Sequence, residues 1–333
     1  MGPRRGALAA RPHLPGGAVT HPAAAGAGAD GRPVVALSIG KFDGVHLGHR
    51  RLVSGLVAAA RDRGARSVAL VLAPHPAAVL AGRRVPLLTD VDERRRRLAA
   101  LGVDEAVCLA FTPALAGLSP EAFLDDLAAR YRVVAMVVGA DFVFGKDRAG
   151  DVETLRRMGR ERGFDVVCVP PVIAGGEAVS SRRIRHLVET GHVAAARALM
   201  AAPPRLVGTV VRGAQRGRTL GFPTANLAPA DDYVVPGHGI YTVRARWDGA
   251  PSSAPDGWMG GVASIGVRPT FDDGPRSIEV YVLDFAGDLY GRTLTVEILA
   301  WQRGEERFDG VEPLVAQMHR DVALARANLA AED

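Results

Sequence analysis

Two histidines three residues apart lie in a glycine-rich segment near the start of the chain. The segment, IGKFDGVHLGH at residues 39–49, joins a short apolar strand to a helical pattern. Glycines let backbone N–H groups approach an anion, and phosphates bind where a strand ends and a helix begins. The ring N–H groups of His46 and His49 would stabilise charge on an attacked α-phosphate of ATP and on the departing pyrophosphate. Two ordinary histidines at a helix start are the alternative. The accompanying candidate nucleotide-binding positions are Gly40, Phe42, Asp43, Gly44 and Gly48.

A second glycine-rich segment, GTVVRGAQRGRTLGFPTANL, occupies residues 208–227. Thr224 and Asn226 are two residues apart, so they point to one side of an extended chain. A hydroxyl and an amide oxygen are suitable ligands, or near neighbours, for Mg²⁺ that carries a nucleotide. Gly213 and Gly217 would shape a phosphate pocket made of backbone. The alternative is that Thr and Asn only cap and turn the loop, as they commonly do.

Glu279 opens the apolar strand pattern EVYVLDF at residues 279–285. An unpaired carboxylate in such a strand is costly unless it has a task or a partner. Phosphoryl transfer to a hydroxyl needs a carboxylate that orients and deprotonates the attacking group. Glu279 is therefore a candidate general base, with a solvent-facing strand residue as the alternative.

Three other patterns are weaker evidence for a binding site. Residues 26–31, GAGADG, match the dinucleotide-binding G-x-G-x-x-G pattern but precede a strand instead of following one. Residues 139–146 resemble a P-loop that is one residue too long, and Asp147 stands where a Ser or Thr should hold magnesium. The four arginines at residues 94–97 follow two acidic residues on a predicted helix, which favours a solvated helix face over a binding patch.

Composition indicates a globular chain of two domains. The 333 residues include 48% hydrophobic and 23% charged residues. The net charge is +5, of which the Ala-, Gly- and Pro-rich head, residues 1–32, contributes +3 through four arginines and one aspartate. No basic face indicates nucleic acid, no apolar stretch of about 18 residues indicates a membrane span, and no obligate protein partner is evident. Cys108 and Cys168 lie in apolar runs, which predicts buried reduced thiols and a reducing cytoplasm.

Apolar runs alternate with helical patterns up to residue 200. This order predicts an α/β domain at residues 33–200 with a doubly wound parallel sheet. The predicted strands are 34–39, 67–72, 106–109, 133–138 and 166–169, and the predicted helices are 47–63, 90–101, 120–130, 151–162, 181–189 and 193–200.

Longer, partly alternating strands follow a linker at residues 201–205. They predict a small antiparallel β-barrel domain at residues 206–330 that ends in a C-terminal helix, residues 311–328. The predicted barrel strands are 206–212, 240–247, 259–265, 277–285 and 293–299.

The histidine segment closely resembles the nucleotidylyltransferase motif of bacterial bifunctional riboflavin kinase/FAD synthetases. Further stretches match that family in order: Pro74-His75-Pro76, GADFVFG at residues 139–145, Ser180-Ser181 and Ile184-Arg185. Residues 208–227 closely resemble the riboflavin kinase signature. The resemblance covers about residues 34 to 328, nearly everything except the head.

This resemblance implies that the barrel domain phosphorylates riboflavin to FMN and the N-terminal domain adenylylates FMN to FAD, each with ATP and Mg²⁺. It implies phosphate contacts for Ser180, Ser181 and Arg185. It also places His75 and Asp141 near the nucleotide or flavin, although Asp141 alone could equally be a turn residue. The family assigns the base to the glutamate that matches Glu279, and Arg303 would reach a nucleotide phosphate.

Two departures from the family pattern leave alternatives open. Arg182 stands where the family usually has a threonine, which would either weaken adenylylation or supply a phosphate contact itself. The usual Gly-Arg-Pro-Tyr before the barrel is AAPP at residues 201–204. A kinase-only enzyme with a decayed adenylyltransferase half is therefore one alternative. A non-enzymatic flavin-responsive regulator is another, and the presence of Glu279 and Thr224 argues against it.

The head has no apolar periodicity, so we expect it to be disordered and dispensable. A chain that starts at residue 31 should fold and retain both ATP-dependent activities, measured as FMN and FAD formation. Loss of both activities in a truncated chain that still folds would show that the domain boundary is misplaced.

Overall fold

The computed structural model describes residues 30–213, 216–230, 232–251, 255–267 and 276–332, which form two compact units. The first unit contains the described residues up to Phe42, then Gly48–Val85 and Val91–Val172. The second contains Asp43–Leu47, Pro86–Asp90 and the described residues from Ile173 onward. The predicted disordered head lies outside the described residues up to residue 29, and the linker at residues 201–205 stays a prediction.

Five parallel strands form the sheet of the first unit: β1 (Val34–Gly40), β2 (Arg66–Ala73), β3 (Glu105–Ala110), β4 (Arg132–Gly139) and β5 (Asp165–Val169). Their order across the sheet is β3-β2-β1-β4-β5. Every residue from Val35 to Ile39 is buried, because helices cover both faces of a parallel sheet and its central strand contacts no water. The predicted doubly wound sheet is confirmed.

Six helices accompany this sheet: α1 (Leu47–Asp62), α2 (Pro76–Ala81), α3 (Val91–Ala100), α4 (Pro113–Ala116), α5 (Pro120–Arg130) and α6 (Val152–Arg162). The four longer ones agree with the predicted helices to within one residue at each end. Ser119 caps α5 by accepting from the Ala122 amide at 3.2 Å, and Asp151 caps α6 by accepting from the Thr154 amide at 2.8 Å. The helices α2 and α4 were not predicted, since so few residues show no helical periodicity.

Two sequence predictions about the first unit are wrong. Arg94 is only 2% exposed and donates to the Lys41 carbonyl at 3.1 Å, so the run of arginines is not a solvated face throughout. Cys108 is exposed and Cys168 is half-buried, because β3 and β5 are the edge strands of the sheet. Both cysteines are free thiols.

The second unit includes a short hairpin, β6 (Ile173–Ala174) and β7 (Glu177–Ala178), and six barrel strands. These are β8 (Arg205–Val211), β9 (Ala225–Pro229), β10 (Gly239–Trp247), β11 (Met259–Val267), β12 (Arg276–Val282) and β13 (Thr293–Arg303). They close in the order β10-β11-β12-β9-β8-β13, and every neighbouring pair is antiparallel. The predicted antiparallel barrel is confirmed. Alternate residues such as Val243, Val280 and Val296 fill its interior.

Four helices complete the second unit: α7 (Ser181–Glu189), α8 (Val193–Met200), α9 (Arg216–Thr219) and α10 (Val311–Ala330). The bounds of α7 and α8 are those predicted, and α10 is the predicted C-terminal helix. In the described part of the chain, no helix has the length and apolar character needed to cross a membrane.

A buried ion cluster stabilises the barrel beside its apolar core. The Glu297 side chain on β13 is 4% exposed, and it accepts from Arg205 at 2.5 Å and from Arg244 at 2.6 Å. Both guanidinium groups also lie against the Trp258 ring, at 5.6 and 5.0 Å from its centroid. The buried carboxylate therefore compensates the positive charges of two arginines, of which Arg205 is the more deeply buried.

Glu297→Ala is expected to destabilise the barrel by about 3 kcal/mol, because it removes the buried carboxylate that pairs with two guanidinium groups. All three tryptophans lie between residues 247 and 301, so urea unfolding followed by tryptophan fluorescence reports on this unit. The matched control is Glu306→Ala, whose side chain is 53% exposed and should cost less than about 1 kcal/mol. Equal losses for the two variants would contradict the assignment of a stabilising role to the cluster.

Candidate active sites

The loop that follows β1 has a strained backbone. Phe42, Gly44 and Val45 have positive φ angles of 50°, 85° and 45°. This conformation is unfavourable for a β-branched residue such as Val45, so surrounding contacts must hold it in place. Neither Phe42 nor Val45 is exposed at all. Strain of this kind is concentrated at ligand-binding sites, where it fixes the directions of backbone groups.

The first unit contains one part of this loop and braces it. The Phe42 ring packs against the His49 ring with 5.4 Å between centroids. A Cβ at Gly40 would lie 3.3 Å from the Phe42 ring, so a larger residue there would press on it. The bond from Arg94 to the Lys41 carbonyl fixes the backbone between these two positions. Gly48 lies in the first turn of α1, next to His49.

Three predicted site positions share one edge of the parallel sheet. Gly40 ends β1, His75 follows β2, and Asp141 follows β4. Because β2, β1 and β4 are parallel neighbours, their carboxyl ends meet at the edge where open α/β sheets bind ligands. The Nδ1 atom of His75 accepts from the Ala77 amide at 3.2 Å and caps α2, whereas Asp141 is exposed.

The second unit contains the rest of the loop, and here the Asp43 carboxylate is the centre of a buried network. Asp43 is 0% exposed. Its Oδ1 atom accepts from the amides of Leu88 and Thr89 at 3.0 and 3.1 Å. Its Oδ2 atom accepts from Arg185 at 2.7 Å. Asp43 therefore engages protein groups, and it fixes the position of Arg185.

Gly44 and His46 lie close to the same network. The Gly44 amide donates to the Thr89 hydroxyl at 2.9 Å, and a Cβ at Gly44 would come within 2.9 Å of the Leu88 side chain. His46 is 5% exposed, so its imidazole is held in a largely dehydrated place. Donors in such a place act more strongly on developing charge than donors in water.

The N-terminus of α7 brings the two predicted serines to Asp43. Ser180 caps the helix by accepting from the Arg183 amide at 3.3 Å. The Ser181 hydroxyl donates to the Asp43 carbonyl at 2.9 Å. Ser180, Ser181 and Arg185 thus form one group with Asp43 within the second unit.

The barrel brings Thr224, Asn226 and Glu279 together. Asn226 on β9 pairs directly with Glu279 on β12. The Thr224 hydroxyl donates to the Oε2 atom of Glu279 at 3.1 Å. Asn226 is 7% exposed, whereas Thr224 and Glu279 are half-buried. A hydroxyl, an amide and a carboxylate therefore converge on the outer face of the barrel, because the neighbouring Val280 and Leu227 fill its interior.

Two predicted glycines fit closely around this group. A Cβ at Gly213 would overlap the Asn226 side chain, and a Cβ at Gly217 would overlap the Phe222 carbonyl and approach the Thr224 hydroxyl at 3.3 Å. These glycines let the backbone approach the polar group in a way that no larger residue would allow.

Arg303 lies elsewhere in the barrel unit. Its guanidinium forms a bidentate pair with Asp321 on α10 at 2.8 and 2.7 Å. This pairing raises the pKa of the Arg303 guanidinium above its usual value. Among the described residues it makes no hydrogen bond to Thr224, Asn226 or Glu279.

Sequence reasoning missed several residues beside the site. Ser264 on β11 pairs with Glu279 on the side opposite Asn226. The Phe222 ring contacts Tyr281 and His319, with centroids 5.3 and 5.0 Å apart. The sequence feature that could have identified Tyr281 is the alternation of side chains along β12, which puts Glu279 and Tyr281 on one face.

Comparison with known families gives two matches, which follow one another along the chain. A family model described as FAD synthetase matches residues 30–183, and one described as riboflavin kinase matches residues 200–329.

Relatives match along most of the chain. A bifunctional riboflavin kinase/FMN adenylyltransferase of Listeria monocytogenes is 36% identical over 294 residues, which cover 87% of this chain and 91% of that protein. The protein of the same description from Escherichia coli K12 is 38% identical over 292 residues, with the same coverage. A crystal structure described as a macrolide-efflux protein from Streptococcus pneumoniae has a TM-score of 0.78 and 32% identity, and covers 89% of this chain and 95% of that one.

A nucleotidyltransferase sheet followed by a riboflavin kinase barrel defines an enzyme that uses ATP in flavin chemistry. The chain belongs to the bifunctional riboflavin kinase/FMN adenylyltransferase family. Its function is FAD biosynthesis: it phosphorylates riboflavin to FMN and adenylylates FMN to FAD, with ATP as co-substrate in both steps. The predicted family, fold class and function are confirmed, whereas the roles of individual residues stay predictions.

Gly213→Ala is expected to lower kcat/KM for FMN formation about 10²-fold. The added Cβ would displace the Asn226 side chain, and a small misplacement of a group that positions the reactants costs about this much. FAD formation from supplied FMN should be unchanged. The matched control is Gly304→Ala, where a Cβ would meet nothing within 4 Å. Normal FMN formation by the Gly213 variant would mean that Asn226 has no part in the kinase site.

Proposed function

We propose that the two reactions take place at two separate groups of residues, one around the loop that follows β1 and one on the barrel, and that the polar groups described above do the chemistry. For adenylyl transfer, the supporting observation is the strained loop from Gly40 to His49, whose buried Asp43 holds Arg185 and Ser181. In this proposal, Gly40, Phe42, Gly44 and Gly48 shape the loop that receives the triphosphate of ATP. His46 and His49 donate hydrogen bonds to charge that develops on the α-phosphate and on the departing pyrophosphate.

The remaining residues of the N-terminal site hold the reactants in line. Ser180, Ser181 and Arg185 contact phosphate groups, and His75 and Asp141 contact the nucleotide or the flavin. Asp43 acts indirectly, because its carboxylate positions Arg185. The FMN phosphate attacks the α-phosphorus of ATP, and no covalent intermediate with the enzyme is required since positioning and charge stabilisation suffice.

For the kinase reaction, the hydrogen bond from Thr224 to Glu279 carries the proposal. It fixes one carboxylate oxygen, and the other would orient the terminal ribityl hydroxyl of riboflavin and accept its proton. That hydroxyl then attacks the γ-phosphorus of ATP, the bond to the β-phosphate oxygen breaks, and ADP leaves. Gly213 and Gly217 give the nucleotide phosphates access to backbone N–H groups. Arg303 compensates phosphate charge only if its pair with Asp321 rearranges.

The donor set around Glu279 fits a magnesium ion. Mg²⁺ prefers hard oxygen ligands and is usually held by few protein groups together with substrate phosphates. The hydroxyl oxygen of Thr224 has lone pairs for a metal while its proton is donated to Glu279, and the Asn226 side-chain oxygen lies on the same side of β9. Thr224 and Asn226 would hold the ion, which would neutralise charge on the ATP phosphates.

A cytoplasmic location is also part of this proposal. It is supported by the two cysteines, which are free thiols in the structure although one of them is exposed.

Single substitutions should separate the two reactions. His46→Ala is expected to slow FMN-to-FAD conversion by roughly 10²–10³, the usual cost of one such donor, and to leave riboflavin phosphorylation nearly unchanged. Glu279→Gln should slow FMN formation by about 10²–10⁴ and spare adenylylation of supplied FMN. Each variant is assayed separately with riboflavin and with FMN, and the flavins are separated by chromatography.

The controls for this pair are His192→Ala and Glu312→Gln, since both residues are exposed and lie outside the proposed sites. If His46→Ala lost kinase activity as severely as FAD synthesis while remaining folded, two separate sites would be ruled out in favour of a shared one.

Removal of divalent cations should stop both reactions, because the triphosphate charge would then have no counter-ion. The measurement is FMN and FAD formation in excess chelator, with recovery after Mg²⁺ is restored. Undiminished FMN production in the chelator would exclude a metal role for Thr224 and Asn226.

A further inference from the structure

A short segment of the second unit, residues 87–90, is held from two sides. On one side, the amides of Leu88 and Thr89 donate to the Asp43 carboxylate at 3.0 and 3.1 Å. The Thr89 hydroxyl also accepts from the Gly44 amide at 2.9 Å. Leu88 and Thr89 are each 1% exposed, so little water competes for these bonds. The position of the segment therefore determines where the Asp43 carboxylate lies.

On its other side, the segment contacts residues of the same unit that precede β10. The Leu87 amide donates to the Asp232 carbonyl, and the Val234 amide donates to the Leu87 carbonyl at 2.9 Å. These two bonds form a short parallel β-bridge between Leu87 and Tyr233. The beginning of the segment is thus anchored by backbone groups.

A side chain anchors the end of the segment. The Tyr233 hydroxyl donates to the Oδ2 atom of Asp90 at 2.6 Å, the length expected for a hydroxyl that donates to an ionised carboxylate. Both residues are half-buried. Burial and the Asp90 carboxylate raise the pKa of Tyr233, so the hydroxyl keeps its proton and remains a donor at neutral pH. The bond holds the residue that directly follows Thr89.

The partners in this contact come from different regions of the chain. Asp43 and residues 87–90 belong to the FAD synthetase region, whereas Tyr233 belongs to the riboflavin kinase region. Among the described residues, Tyr233 makes no hydrogen bond to Thr224 or Glu279 of the proposed kinase site. Its side chain is therefore directed to the adenylyl-transfer residues although its place in the sequence is in the kinase half.

We propose that Tyr233 is a positioning residue for adenylyl transfer. Its hydroxyl holds residues 87–90 in place through Asp90. That segment in turn holds the Asp43 carboxylate, which fixes Arg185. This inference rests on the proposed function of the Asp43 network. The adenylyl-transfer site thus requires a side chain from the riboflavin kinase region of the chain.

Tyr233→Phe tests this role because it removes the hydroxyl and keeps the ring. It should lower kcat for FMN-to-FAD conversion about 10-fold, the cost of one hydrogen bond to a charged group, and change KM for ATP less than about 3-fold. Riboflavin phosphorylation should stay unchanged. The matched control is Tyr131→Phe, since Tyr131 directly precedes β4, at the sheet edge opposite the carboxyl ends of the strands.

A double-mutant cycle with Asp90 distinguishes this role from a general loss of stability. Because Tyr233 acts through Asp90, Tyr233→Phe should cause no further loss of kcat in a chain that carries Asp90→Ala. Asp90→Asn keeps an oxygen that can accept from the Tyr233 hydroxyl, and a neutral hydrogen bond retains about half the strength, so its kcat should stay within about 3-fold of that of the unsubstituted chain.

The outcomes separate this inference from the proposed function. If Asp43→Asn slowed FMN-to-FAD conversion and Tyr233→Phe did not, the inference would be overturned and the proposed function would stand. Equal losses in both reactions would also overturn it, since they would show general destabilisation, and so would additive losses in the cycle with Asp90. If Asp43→Asn left FAD formation unchanged, the proposed function of the Asp43 network would fail and the inference with it.

Discussion

The buried hydrogen-bond network of the Asp43 carboxylate is the interaction on which the proposed adenylyl-transfer site depends. A fully buried carboxylate is costly unless hydrogen bonds and a counter-charge surround it. Asp43 obtains two backbone amides from residues about 45 positions away in the chain and a guanidinium from Arg185, 142 positions away. The Ser181 hydroxyl adds a bond to its backbone carbonyl. One side chain therefore fixes the shape of the loop that follows β1 and the position of the α7 N-terminus at the same time.

The kinase half depends on a different constraint, which is the register between β9 and β12. Among the described residues, two pairs join these strands, Asn226 with Glu279 and Ala225 with Val280. A slip of one residue would turn Glu279 to the other face of the sheet and separate it from Thr224. Gly213 contributes to this register because its missing Cβ makes room for the Asn226 side chain. The barrel core supports the site indirectly, by holding β12 between β9 and β11.

Most of the architecture could be predicted from sequence because it follows from local patterns. The apolar runs of β1 to β5 and the turns between the barrel strands identify both folds, and the four longer helices of the first unit begin and end close to their predicted limits. β9 was missed as a strand because it has five residues, two of them Asn226 and Pro229, and lacks apolar alternation. The short helices α2 and α4 were missed for a similar reason.

Long-range partners explain the other differences. Arg94 was expected in solvent because its neighbours in the chain are charged, but the partner that permits its burial is the Lys41 carbonyl, 53 residues away. The pairing of Arg185 with Asp43 was equally invisible, so Asp43 was predicted as a nucleotide-binding position and Arg185 as a phosphate contact. Cys108 was expected to be buried because its strand is apolar, and only the strand order shows that β3 is at the edge.

The central claim is that two independent sites act in sequence on a flavin that is released between them. The most direct test mixes equal amounts of the His46→Ala and Glu279→Gln proteins with riboflavin, ATP and Mg²⁺, and follows FAD with time. Each protein alone should form little FAD, whereas the mixture should restore FAD formation after a lag in which free FMN accumulates. FAD formation by the mixture no faster than the sum of the two separate proteins would contradict the claim.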